Sequence, residues 1–284
     1  MRFANIDGRM HLLTGDETVD VADASAGALP SDPQACFDVW DDLVAWAEGA
    51  PGSGPAGPAP RQGRSGTRLA PVPRPRQVLG IALNYQLHVG ESDFSAPEEP
   101  SAFTKFPSSI AGPGSGIPIV GETVDWEVEL VVVIGRNAHH IPDGRGWDYV
   151  AALTVGQDIS ERTVQLRPPV PQFSLGKSFP SFGPIGPELV TPDELDDPDD
   201  LQIGCEVNGR QVQLARTSEL IFSVPELVSR LSAIVTLYPG DLIFTGTPAG
   251  VGHARTPPEY LRPGDHLTST IEGIGTLHND CVAP

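Results

Sequence analysis

Short apolar runs broken by glycine and proline set the rhythm of the chain. Val78–Leu83, Leu130–Ile134, Tyr149–Val155, Leu242–Thr245 and His266–Ile271 have the length and composition of β-strands. Between Met1 and Val21, alternating runs around Asp7-Gly8 and Thr14-Gly15-Asp16 predict small hairpins. Helical spacing appears in two places. Phe37, Val39, Trp40, Leu43 and Trp46 share one face of a segment from Phe37 to Trp46, and Val224, Leu227, Val228, Leu231 and Val235 share one face of Ser223–Thr236. The stretch Gly49–Gly66 is Gly, Pro and Ser rich and has the texture of a linker. The acidic segment Pro192–Leu201 lacks the ligand order of an EF-hand and reads as a solvated loop. The pattern predicts an α+β protein with a small N-terminal α+β domain over 1–70, linker included, and a β-rich catalytic domain over 71–284.

Two acids interrupt the most apolar of these runs. Glu127 and Glu129 stand two apart in Trp126-Glu-Val-Glu-Leu-Val-Val-Val-Ile134. On a strand, positions i and i+2 face the same way, so both carboxylates address one spot, with Val128, Leu130, Val132 and Ile134 on the opposite face. Two like charges that close raise each other's pKa unless a cation lies between them. Asp158 follows another strand-like run, Ala151–Val155. Three carboxylates without Cys or His make a hard oxygen site suited to Mg²⁺ or Mn²⁺, with Ca²⁺ as a further option. The same spacing also describes an edge strand with solvent-facing acids.

Other segments carry chemistry less specifically. His88 and Glu91, after Asn84-Tyr85, can touch at i and i+3 if the segment turns helical. A carboxylate beside an imidazole raises its basicity for a water, although a surface pair has the same spacing. Lys105 and Lys177 are the two lysines among 18 basic residues. Thr245–Gly252 is small enough for backbone N–H groups to approach an anion, but lacks the ending of a P-loop. His139, His140 and His253 read as loop residues without a role.

Composition narrows the setting. A formal net charge of −19 argues against nucleic acid and requires local positive charge if the substrate is an acid. No apolar run approaches the roughly 18–20 residues of a membrane span, and Met1–Asn5 lacks the apolar stretch of a secretory signal. Cys36, Cys205 and Cys281 are too scattered for a disulfide framework or a zinc site. The expectation is a cytoplasmic protein without a membrane or nucleic-acid partner.

Taken in order, the motifs resemble the fumarylacetoacetate hydrolase family, in its acylpyruvate hydrolase and hydroxyheptadienedioate isomerase-like branch. They are Asn84-Tyr85…His88…Glu91, Phe103-Thr-Lys105, Gly112-Pro-Gly, Asp125-Trp-Glu-Val-Glu-Leu130, Asp158-Ile-Ser-Glu-Arg162-Thr-Val-Gln165, Gly176-Lys-Ser-Phe179, Gly186-Pro187, Val207-Asn-Gly209, Pro239-Gly-Asp-Leu-Ile243 and Thr245-Gly-Thr-Pro-Ala-Gly-Val-Gly252. The resemblance implies a mixed β-roll or sandwich catalytic domain, a homodimer, and a divalent metal on Glu127, Glu129 and Asp158. It makes His88 and Glu91 a catalytic dyad on a lid. It places Lys177, with Gln165, Thr247 and Arg162, against the oxygens of a small oxo-acid. Gln157 replaces the usual Asn and Pro180 a frequent Asp, which bears on the metal's surroundings and on the loop after Lys177.

The activity implied is metal-dependent hydrolytic C–C cleavage of a 2,4-dioxo acid to pyruvate and a carboxylic acid. Decarboxylation or isomerisation of oxaloacetate or a hydroxymuconate-type diacid is the alternative. A catalytically silent binding protein on the same fold is a third reading, which the joint presence of Glu127, Glu129, Asp158, His88 and Lys177 opposes.

Overall fold

The computed structural model describes residues 1–15, 17–49, 66–86 and 97–284. At its centre lies the strand Val128–Ile134, every residue of which is buried. Antiparallel partners flank it on both sides, Val150–Gln157 and Leu242–Phe244. Its alternating side chains enter two different cores. Val128, Leu130, Val132 and Ile134 join the cluster beneath a second sheet, whereas Val131 and Val133 join one shared with Phe3, Phe37 and Trp40. A strand covered on both faces has to be apolar on both, which accounts for the unbroken run Leu130–Ile134. The carboxylates stand at the start of that run, where Val128–Gln157 and Glu129–Gly156 pair.

Among the described residues the large sheet has eleven strands, nine of them in one path. Beyond Val150–Gln157 come Gly183–Val190, Arg2–Ile6, Arg9–Thr14 and Glu17–Asp20, and beyond Leu242–Phe244 come Val78–Ala82 and Ser101–Thr104. The N-terminal hairpins therefore continue the same sheet, through Arg2 opposite Val190 and Phe3 opposite Leu189. Asp7 and Gly8 both have positive φ, 51° and 83°, which is the type I′ turn that the pair predicts. The helix predicted from Phe37 begins instead at Trp40 and runs to Glu48, preceded by a 3₁₀ turn over Ala35–Val39. Phe37 and Trp40 stack at 5.2 Å and Phe3 meets the Trp40 ring edge-on at 5.4 Å. Most of the linker predicted over Gly49–Gly66 lies outside the described residues.

A five-stranded sheet covers the other face, in the order Arg210–Arg216, Gln202–Val207, His266–Ile271, Gly275–Val282 and Ile117–Pro118. Asn208 and Gly209, at φ 53° and 75°, make the hairpin turn between its first two strands. Val124–Asp125 pairs separately with Ser160–Glu161, bringing the two acid-bearing segments side by side. The helix predicted over Ser223–Thr236 starts with a Ser223–Glu226 capping box but ends at Ser232. The Ser232 carbonyl accepts from His140 N at 2.9 Å, so it is not offered to Thr236 and the helix does not continue.

Candidate active site

Four acids and three cations are buried together where the two sheets meet. Asp125 is fully enclosed and accepts from Trp126 N (2.8 Å), Gly252 N (2.8 Å), His253 N (2.9 Å) and Arg162 Nη2 (2.7 Å). Gln157 Oε1 accepts from Glu127 N at 2.9 Å, and Glu127 O accepts from Asp158 N at 2.9 Å. One side-chain and one main-chain bond thus hold residues 127 and 158 abreast. Gln157 itself reaches away, donating to Ser269 Oγ at 2.8 Å, so the departure from Asn is taken up by contacts to the second sheet. Ligand atoms of Glu127, Glu129 and Asp158 lie within 4.8 Å of one another, all three buried. That is a spacing one oxygen-loving divalent ion can bridge.

The cations are placed as tightly as the acids. Lys177 Nζ donates to Glu127 Oε2 (2.6 Å), Asp158 Oδ2 (2.7 Å) and Ser160 Oγ (2.8 Å). Lys105 Nζ donates to Asp158 Oδ1 (2.6 Å), to Phe182 O (3.2 Å) and to the carbonyl of Lys177. Arg162 joins Asp125 to Glu127, with Nη1 at 2.7 Å from Glu127 Oε1 and 2.9 Å from Gln165 Oε1. Burial opposes the charge on Lys177, but Asp158 and Glu127 outweigh it and its pKa rises. On Lys105 burial wins over Asp158, and the pKa falls. Among the described residues, Glu129 is the one of these acids without an ion pair. Burial and the nearby Asp158 and Glu127 push its pKa well up, against Lys177 and the hydrogen bond from Gly246 N at 2.7 Å.

Formal charges of four acids against three cations leave one negative charge, and protonation of Glu129 would cancel it. A divalent ion added to the ionised set would instead turn it net positive. A local field of that sign resolves the conflict between a chain of charge −19 and an acidic ligand.

The acids open into a cavity of about 490 Å³. Glu127, Glu129, Arg162, Gln165, Lys177 and Thr247 give it polar lining, and Phe103, Leu166, Phe173 and Val251 give it apolar lining. Seven of the residues singled out from the sequence thus converge. His88 and Glu91 lie outside the described residues. The loop Thr245–Gly252 serves differently from its anticipated use: Gly246 N and Gly252 N bind the chain's own Glu129 and Asp125. A side chain at Gly246 would meet Asn84 Cβ at 2.8 Å, and its φ is +101°, so only glycine presents that N–H to Glu129. The Thr247 hydroxyl donates to Val128 O at 2.9 Å and accepts from Gln213 at 2.8 Å. Ser160 and Asp125 carry no ligand pattern in the sequence. Lys105 was marked by the scarcity of lysine and by the motif Phe103-Thr-Lys105, without a role. His253, read as a loop residue, lines the cavity.

Comparison with known proteins places the chain in a family. The model of the fumarylacetoacetate (FAA) hydrolase C-terminal family matches residues 77–282. Human oxaloacetate tautomerase FAHD2A, a mitochondrial protein, is 45% identical over 218 residues, 76% of this chain and 69% of the human one. A provisionally assigned HpcE protein from Mycobacterium smegmatis superimposes with a TM-score of 0.94 at 53% identity, covering 100% of this chain and 99% of that one. Maleylpyruvate hydrolase from Sphingobium sp., solved with manganese(II) and pyruvate, gives a TM-score of 0.78 at 27% identity over 100% and 99% of the two chains.

Proposed function

The chain belongs to the fumarylacetoacetate hydrolase family, and from that premise we propose that it is a divalent-metal-dependent hydrolase cleaving a C–C bond of an acylpyruvate-type 2,4-dioxo acid. The observation that carries the reading is the buried triad Glu127, Glu129 and Asp158, opening with Lys177 into a cavity of about 490 Å³. A bound Mg²⁺ or Mn²⁺, with Ca²⁺ as a weaker candidate, supplies a Lewis acid for the substrate's oxo group and countercharge for an enolate. The donor set, oxygen only and anionic, fits such an ion.

The chain's own groups then divide the work. Lys177, held by Glu127, Asp158 and Ser160 and lining the cavity, would donate to the enolate oxygen. Gln165, Thr247 and Arg162 border the carboxylate end of the substrate, Arg162 chiefly by holding Asp125 and Glu127 in place. His88, with Glu91 the dyad that the family resemblance implies, would take a proton from water, whose oxygen adds to C4. The C3–C4 bond breaks, its electrons pass to the enolate of pyruvate, and C3 is protonated. The products are pyruvate and a carboxylic acid.

The similarity to an oxaloacetate tautomerase favours a second reading, in which the same enolate forms by proton transfer without added water. Acetylpyruvate and oxaloacetate, each with Mg²⁺ or Mn²⁺, separate the two. Stoichiometric pyruvate and acetate from acetylpyruvate supports the hydrolase. Enol–keto exchange of oxaloacetate with no acetylpyruvate cleavage supports the tautomerase, and His88→Ala should then leave much of it. Either activity surviving Glu129→Ala would refute the site.

We further propose a homodimer acting in the cytoplasm. Exposed Phe106, Val170 and Leu175 near the cavity suit a subunit contact, and the free, buried cysteines suit a reducing compartment. No helix among the described residues is long and apolar enough to cross a membrane.

A further inference from the structure

Val128 stands between two of the triad carboxylates, and its main chain is held by side chains rather than by a neighbouring strand. The ladder between Leu242–Phe244 and the central strand covers Val131–Val133, and Thr245 N donates to Leu130 O at 3.1 Å just past it. The chain then turns at Gly246, at φ +101°. At Val128 two side chains take over. The N–H donates to Gln213 Oε1 at 3.1 Å, and the carbonyl accepts from the Thr247 hydroxyl at 2.9 Å. Gln213 comes from the second sheet, on Arg210–Arg216, and is 2% exposed.

The hydrogens of this group have one arrangement. Val128 N can only donate, so the oxygen of the Gln213 amide faces it. The amide nitrogen then faces the Thr247 hydroxyl at 2.8 Å and Pro248 O at 2.7 Å, and donates to both. Thr247 accepts from Gln213 and gives its own hydrogen to Val128 O, which can only accept. A ring of bonds therefore closes from Val128 through Gln213 and Thr247 back to Val128. The Thr247 hydroxyl keeps a lone pair but no hydrogen to offer a ligand.

These bonds reach both flanks of Glu129. One flank is Val128, its neighbour in the strand. The other is the loop whose Gly246 N donates to Glu129 Oε2 at 2.7 Å and whose Pro248 O is bound by Gln213. We propose that Gln213 is a positioning residue for the divalent ion, fixing Val128 and the loop 246–248 and through them the relative aim of Glu127 and Glu129. This rests on the reading that an ion occupies Glu127, Glu129 and Asp158. Residues i and i+2 of a strand share a face, but the spacing of their carboxylates follows the backbone dihedrals of the residue between them. A ladder would fix those dihedrals; here Gln213 and Thr247 do so.

Metal binding tests this without requiring turnover. Calorimetry on the full chain would measure Mg²⁺ and Mn²⁺ affinity at one fixed pH, beside urea unfolding of the metal-free protein. Gln213→Met keeps the reach of the side chain and loses its hydrogen bonds, and affinity should fall about ten- to a hundredfold. Val212→Ala, at the adjacent buried position of the same strand, is the control for lost stability alone. It should destabilise the metal-free chain and leave affinity within about twofold. Thr247→Val should weaken the ion by a smaller factor than Gln213→Met, and Thr247→Ser should restore it. Because Gln213 and Thr247 act as one unit, Gln213→Met combined with Thr247→Val should lose less than the product of the two single losses. A Gln213→Met protein that binds the ion within about twofold of wild type would overturn the proposal. So would a Val212→Ala protein weakened as much as Gln213→Met, or single losses that simply multiply. If Gln213→Met does not fold, Thr247→Val decides, and unchanged affinity there overturns the proposal. Failure of the wild type to bind either ion would overturn the metal reading itself, and this inference with it.

Discussion

Three residues on one face of one strand meet opposite fates. Glu129, Val131 and Val133 alternate along Val128–Ile134 and point the same way. At Val131 and Val133 that face meets the apolar core shared with Phe3, Phe37 and Trp40. At Glu129 it meets Gly246 N and a nest of other ionised groups. Apolar contacts are non-directional, so the Val131–Val133 neighbourhood is held by many small, roughly independent contributions. The charged neighbourhood is held by a few short directional bonds, each of which keeps another group from being buried uncompensated.

The contrast is sharpest at Lys105. Its side chain and that of Asp158 are both 0% exposed, and the ion pair is 2.6 Å long. Lys105→Met should cost about 3–5 kcal/mol of folding stability, because it leaves a buried carboxylate one cation short. Urea unfolding without metal measures this. A loss of about 2 kcal/mol or less would mean that the knot relaxes like the apolar side and that the two regions do not differ in kind.

Val133→Ala is the matching change on the other side. It removes two buried methyl groups and should cost about 2 kcal/mol, counting the cavity left behind. Affinity for Mg²⁺ should stay within about twofold of wild type by calorimetry. A large drop in metal affinity would show that the apolar core positions the carboxylates rather than merely supporting the sheet.

The same contrast explains what the sequence made legible. Alternation marks Val128, Leu130, Val132 and Ile134 as one buried face, because burial leaves a period that can be read. It hides the burial of Val131 and Val133, since what covers them comes from residues some ninety or more positions away, such as Phe3 and Trp40. The triad was legible because carboxylates are conspicuous in an apolar run. Its wiring was not. Nothing local to Asp125 reveals that Arg162, Gly252 and His253 converge on it. The strand Gln202–Val207 buries only alternate positions and Arg210–Arg216 buries only Val212 and Gln213, so no apolar run announces them. Asn208-Gly209 was their visible trace.

Glu129 offers the finest test, since it belongs to the strand face of one region and the charge set of the other. Its pKa lies well above the ordinary Glu value of 4.5, through burial and then Asp158 and Glu127. The folded, metal-free protein therefore holds this proton more tightly than the unfolded chain. Its contribution to stability is full below the unfolded value and is lost as pH rises through the folded one. A divalent ion needs the ionised form, so binding expels the proton. Affinity should climb by about tenfold per pH unit as long as the pH lies below the folded, metal-free value of Glu129 and level off above it. Calorimetry in two buffers of different ionisation enthalpy should count about one proton released per ion inside that window. Glu129→Gln should abolish the release and weaken the ion. It should also raise the metal-free melting temperature at pH 7, because an amide carries no charge to bury. A pH-independent affinity, or a metal-free Glu129→Gln protein less stable than wild type, would show that Gly246 N and Lys177 already satisfy the ionised carboxylate, and the strand face would then be a continuous core with one well-paired acid in it.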